Sequence, residues 1–144
     1  MDRNDTFDET TMIDVRMDTT RTVADWLGMA ASTACVVHCL LLPALMVTGA
    51  MLPAAFHSDE HFHHIMLWIV VPTALVAFGI GWWRHRDLRV LALGCIGLAG
   101  IVMAGTMLHD ALGENGERVV TLLSASLLIA AHYRNFSICR TSDC

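Results

Sequence analysis

The chain has 144 residues, 55% of them hydrophobic and 16% charged, with a mean hydropathy of +0.53 and a formal net charge of −5. That is too apolar for a soluble domain of this length, so much of the surface must meet lipid. The acidic balance also excludes nucleic-acid binding. Five cysteines form no even-numbered disulfide framework, so free thiols are expected.

The first 24 residues are polar. Asp2, Asp5, Asp8, Glu9, Asp14 and Asp18 outnumber Arg3, Arg16 and Arg21. No basic start, apolar run and small-residue cleavage site follow one another, so the segment does not read as a cleaved signal peptide. It is expected as a disordered, solvated cytoplasmic tail, residues 1–24.

Four apolar blocks follow, at about 26–52, 65–83, 90–108 and 119–136. At 1.5 Å per residue each of the first three covers a hydrocarbon layer of about 30 Å. The fourth is shorter and interrupted by Ser124, Ser126 and His132. Arginine counts orient the spans, because cytoplasmic loops retain positive charge. Arg3, Arg16, Arg21, Arg84, Arg86, Arg89, Arg134 and Arg140 flank one side, and only Arg118 the other. The expected fold is therefore an all-α membrane protein. It is a four-transmembrane-helix antiparallel bundle with both termini in the cytoplasm, its membrane domain at 25–140 and a short tail at 141–144. Gly94, Gly97, Gly100 and Gly105 on the third block would let backbones approach.

The first span carries Cys35-Val-Val-His38-Cys39. At 100° per residue these three donors share one helix stripe near mid-membrane. Pro43 crowds the carbonyl of Cys39, and Pro72 that of Trp68; backbone freed at membrane depth lines a cavity or a protein interface. A lone membrane cysteine is most often a small apolar filler, the expectation for Cys95. A histidine between two cysteines in hydrocarbon is costly without a role.

The outer connector holds His57, His61, His63 and His64 with Asp59 and Glu60. On a helix His57, His61 and His64 would share a face, and such imidazole sets suit borderline divalent metals; a polar loop that binds nothing is the alternative. His109 ends the third span on the same side. Inside, His132 ends the fourth span, followed by Cys139 and Cys144, while His85 between Arg84 and Arg86 reads as an interfacial anchor.

In order and spacing these features resemble the MerC family of mercury-resistance membrane proteins. The resemblance is carried by Asp25-Trp-Leu-Gly28, Ser32, Cys35-Val-Val-His38-Cys39 with Pro43, then His61 and His64, and finally His132-Tyr-Arg-Asn135 with Cys139-Arg140. It implies four helices in the bacterial inner membrane and uptake of mercuric ion toward a cytoplasmic reductase. The mercury transporters proper separate their two first-helix cysteines by two residues. Three residues including a histidine separate them here, which is similar to the broader group of MerC-domain proteins.

The expected function is non-enzymatic transport of a soft or borderline metal ion: Hg2+ as substrate, or alternatively Cu+ or Zn2+. His57, His61 and His64 would capture it outside, Cys35, His38 and Cys39 carry it, and Cys139 and Cys144 deliver it to a cytoplasmic acceptor, with His109 and His132 as further ligands. No phosphate-binding glycine-rich loop accompanies this set. Two other readings use the same residues: a haem-binding membrane cytochrome pairing His38 with His132 or His61 with His109, and a metal sensor or buffer that does not transport.

Overall fold

The computed structural model describes residues 3–48 and 59–141. Among these the chain is helical, with α1 at Arg3–Val47, α2 at Asp59–His85, α3 at Leu88–Met103, a π-helical turn at Ala104–Leu108 and α4 at His109–Thr141. Among the described residues three stretches are long and apolar enough to cross a membrane, Glu9–Leu45, Phe62–His85 and Leu88–Met107.

Each helix buries one narrow stripe spaced alternately by about three and four residues, the interval that keeps one helix face on its neighbours. On α1 the stripe is Arg21, Asp25, Gly28, Ser32, Cys35 and Cys39; on α3 it is Val90, Gly94, Gly97 and Ile101, continued by Ala104 of the π turn. Pairings across the seams run in opposite directions. Cys39 meets His63 while Asp14 meets Arg84, which sets α1 antiparallel to α2. Gly94 faces Phe78 while Gly105 faces Leu67, which does the same for α2 and α3. Gly97 lies against Leu128 and Gly100 against Ser124, so α3 and α4 are also antiparallel. Gly28 against His132 closes the bundle between α1 and α4.

The distribution of polarity is the reverse of a soluble bundle. Leu40, Trp68, Leu75, Ile96, Met103 and Leu123 are exposed, whereas Asp25, Ser32, His132 and Asn135 are fully enclosed. Apolar side chains outward and polar groups inward are what a lipid solvent selects. The chain is a multi-pass membrane protein.

Local chemistry sets the turns. Between α2 and α3 only two residues reverse the chain: Arg86 adopts the left-handed region at φ 47°, and Asp87 caps α3 by accepting the Arg89 N–H at 2.7 Å. At the other end of α3 the π turn leads to Gly113, whose φ of 66° breaks the helical path inside α4 at a cost only glycine avoids.

Three sequence expectations change. The acidic segment expected as a disordered tail is helical from Arg3 onward, because its charges find partners: Asp14 pairs with Arg84 at 2.8 Å and Asp18 with Arg21 at 2.8 Å. The first helix ends at Val47, short of the expected 52; residues 49–52 lie outside the described ones. The last helix is longer than the expected 119–136. It reaches Thr141, with its inward Asn135 held by Asp25 of α1 and the Ala77 carbonyl of α2.

Candidate metal site and a second polar cluster

At one end of the interior, Cys39 Sγ lies 3.9 Å from His63 Nε2, and His63 Nδ1 lies 3.0 Å from Glu117 Oε1. Three helices contribute: α1 the thiols, α2 the imidazole, α4 the carboxylate. Cys35 and Cys39 are 2% and 5% exposed, and neither is in a disulfide among the described residues. Cys35 and His63 share the wall of a small cavity of ≈ 10 Å³ with Met66 and Thr121, space for one water or one ion. Gly105 of the π turn completes that wall. Such turns interrupt helices where a side chain must be re-aimed.

This geometry suits a single soft ion. Bonds of about 2.3 Å from sulfur and about 2.0 Å from nitrogen hold two donors of one ion roughly 3.5 to 4.3 Å apart, from tetrahedral to linear. The Cys39–His63 separation falls within that range. Glu117 places a carboxylate beside Nδ1 of the ring whose Nε2 faces the thiol. Among the described residues no group of three His, Cys, Asp or Glu side chains converges to hold a metal. The site is thus a two-donor seat with Cys35 one turn away.

The other expected ligands are dispersed. His38 is half-buried beside the pair, its ring stacked on Phe62 with centroids 3.8 Å apart. His64 is exposed. Cys139 is half-buried at the far end, and Cys95 is exposed on the lipid face, as a filler would be. His57 and Cys144 lie outside the described residues, as do the side chains of His61 and His109. Among the described residues of this segment it is His63, and not the exposed His64, that faces the thiols. The spacing of small residues on α2 carries that signal: Gly81, Ala77, Ala74 and Val70 define the buried stripe, and seven residues before Val70 is His63.

At the opposite end a second cluster surrounds Asp25. Its Oδ1 lies 2.9 Å from His132 Nδ1, and Asn135 Nδ2 donates to Oδ2 at 2.8 Å and to Oδ1 at 3.1 Å. Arg21 donates to the Asn135 carbonyl at 3.0 Å. Gly28 and Gly81 make the room: a Cβ on the first would collide with the His132 ring, and on the second with the Asn135 carboxamide. Phe78 stacks on the outer face of His132 at 4.5 Å. Sequence reasoning assigned His132 to metal and gave Asp25 and Asn135 no role. Replacing Asn135 with Leu removes the amide donor that spans both oxygens of a buried carboxylate. The expected loss is about 1 to 3 kcal/mol of stability, read as a lower unfolding midpoint in detergent.

A family model described as MerC mercury resistance protein matches residues 25–137. No curated protein and no solved structure matches the chain.

Proposed function

The chain belongs to the MerC family, and from that premise we propose that it carries mercuric ion inward across the bacterial inner membrane by exchange between cysteine and histidine ligands. The observation that supports this best is the inward placement of Cys35 and Cys39 with His63 Nε2 3.9 Å from the Cys39 sulfur. Thiolates prefer soft ions, and an imidazole beside them accepts the same ion without a carboxylate in direct contact. In this reading α4 is a fourth span and both termini are cytoplasmic, because the bundle end holding Arg84, Arg86, Arg89, Arg134 and Arg140 keeps its charge inside.

The ion would meet the histidines at 57–64 and His109 first, with His38 at the mouth of the interior. It would then pass to His63 and Cys39, then to Cys35, and leave toward Cys139, Cys144 and a cytoplasmic thiol acceptor. Each new donor attacks before the old one leaves, so the apolar layer never holds a bare cation. His132 is outside the ligand set of this proposal, since its Nε2 abuts Gly28. The ≈ 10 Å³ cavity by Cys35 and His63 fits an ion and is far too small for a porphyrin, which favours ion passage over the cytochrome reading.

Vesicles reconstituted with the full chain and loaded with a dithiol test this directly. They should accumulate Hg(II) added outside; stoichiometric binding without accumulation would leave a buffer and reject transport. Replacing His63 with Ala should weaken Hg(II) binding about tenfold to a hundredfold, measured by competition with a thiol of known affinity. Unchanged affinity would remove His63 from the seat.

A further inference from the structure

The glycines of the bundle differ in what surrounds them. Gly81 admits the Asn135 carboxamide, and Gly28, Gly94, Gly97, Gly100 and Gly105 each admit a side chain that a Cβ would strike at less than 3.0 Å. Gly79 admits nothing of this chain: no atom lies within 4 Å of a Cβ there, the position is exposed, and its backbone is ordinary helix. Glycine weakens a helix interior relative to alanine. One that neither packs closely nor turns the backbone leaves space for something outside the chain.

That space is the floor of a groove of ≈ 540 Å³ between α1 and α2. Leu75 and Trp83 stand one turn before and one turn after Gly79, Val76 lies beside them, and Met17 forms the α1 wall. All four side chains are apolar and 40% to 86% exposed. From Trp83 to Leu75 the groove runs about 12 Å along α2, inside the candidate span Phe62–His85. It is a slot for an apolar chain within the hydrocarbon layer, with a tryptophan at the level where such rings meet headgroups.

The mouth of the slot is charged. Arg84 forms its end and donates to the Asp14 carboxylate of α1 at 2.8 Å and to the Asp14 carbonyl at 3.2 Å, which ties the two walls together. Arg86 follows three residues beyond Trp83 and Arg89 opens α3; both are exposed. The acids here are Asp14, paired with Arg84, Asp18, paired with Arg21 at 2.8 Å, and Asp87, whose carboxylate accepts the Arg89 N–H as the cap of α3. Glu9 lies about 7.5 Å further out along α1 than Asp14. Arg84, Arg86 and Arg89 against Asp14 and Asp87 leave one positive charge in excess where the slot meets the headgroup layer.

We propose that this groove binds an anionic glycerophospholipid of the adjoining leaflet, one acyl chain lying over Gly79 between Met17 and Trp83 and the phosphate at Arg86 and Arg89. An acyl chain is what an apolar slot at this depth accepts, and a phosphate is what the excess charge at its mouth attracts. The site stands apart from the thiols, since Gly79 is about 24 Å along α2 from His63, and it does not rest on ion passage.

Native mass spectrometry of the full chain released from detergent micelles tests this, with dioleoyl phosphatidylglycerol and dioleoyl phosphatidylcholine added in turn. The native chain should retain one phosphatidylglycerol at about one-tenth of the concentration that phosphatidylcholine needs, the advantage two arginines give an anionic headgroup. Gly79→Leu, whose side chain enters the open groove, should lose that lipid, and Arg86→Gln with Arg89→Gln should level the two affinities. Equal retention of both lipids by the native chain, or undiminished retention by Gly79→Leu, overturns the proposal and leaves ordinary annular lipid. A protein dimer that excludes the lipid overturns it as well. Location is read on the native chain alone and so needs no variant to fold: phosphatidylglycerol with a photoreactive acyl chain should label Met17 and residues 75–83. Labelling spread evenly over the lipid-facing sides of all the helices rejects the site.

Discussion

A chain carrying both Cys35→Ser and Cys39→Ser should take up no mercuric ion above the empty-vector background in a host without other mercury transporters. The substitution exchanges a soft donor for a hard one while nearly preserving side-chain volume, so the loss reports on ligation and not on packing. Both sulfurs face the interior, and Cys39 stands 3.9 Å from the His63 ring. With the thiols gone, only the borderline imidazole of His63 and the weak thioether of Met66 remain at this seat. Uptake of radiolabelled Hg(II) should fall by at least an order of magnitude with helical content and membrane abundance unchanged. Cys95→Ser is the matched control: that sulfur is exposed on the lipid-facing side of α3, and its loss should leave uptake intact. Full uptake by the double variant would end the relay hypothesis.

The second large effect concerns Gly28. A side chain there enters the space of the His132 ring, which cannot yield easily because Asp25 holds its Nδ1 at 2.9 Å and Phe78 stacks on its face. Overpacking of a filled core costs about 1 to 3 kcal/mol. Displacing the ring also strips a partner from a buried carboxylate, at about 1 to 3 kcal/mol more. Gly28→Leu should therefore lose several kcal/mol and fail to accumulate in the membrane, with Gly28→Ala intermediate. Gly79→Ala is the reference, since nothing lies within 4 Å of a Cβ at that position. Unfolding in mixed detergent micelles separates the three; equal midpoints for Gly28→Leu and Gly79→Ala would show that the α1–α4 seam is not close-packed there.

These effects show where sequence reasoning reached and where it stopped. The apolar blocks on α2 and α3 were legible because lipid imposes a length and a composition on any span, and the candidate spans there are Phe62–His85 and Leu88–Met107. The Cys35 and Cys39 stripe was legible from spacing alone. The acidic first segment was misread because charge density argues for solvation, whereas Asp14 and Asp18 are matched by Arg84 and Arg21, and a match across 70 residues leaves no local trace. His63 was overlooked for a related reason. Several histidines crowd the start of α2, and only the phase of Val70, Ala74, Ala77 and Gly81 selects the one that turns inward.

The sequence by itself determined that this protein lives in a membrane, that its apolar blocks are separated by short connectors, and that a pair of thiols rides on one face of the first helix, because each of these follows from local periodicity and transfer free energy. Only the tertiary structure decided what those thiols meet. Glu117, His63 and Cys39 come from three helices, and Asp25, His132 and Asn135 from the two ends of the chain. Such groups are assembled by antiparallel packing, in which residues far apart in sequence become neighbours. The glycines that admit them, Gly28 and Gly81, acquire meaning only when the opposing ring and carboxamide are in place.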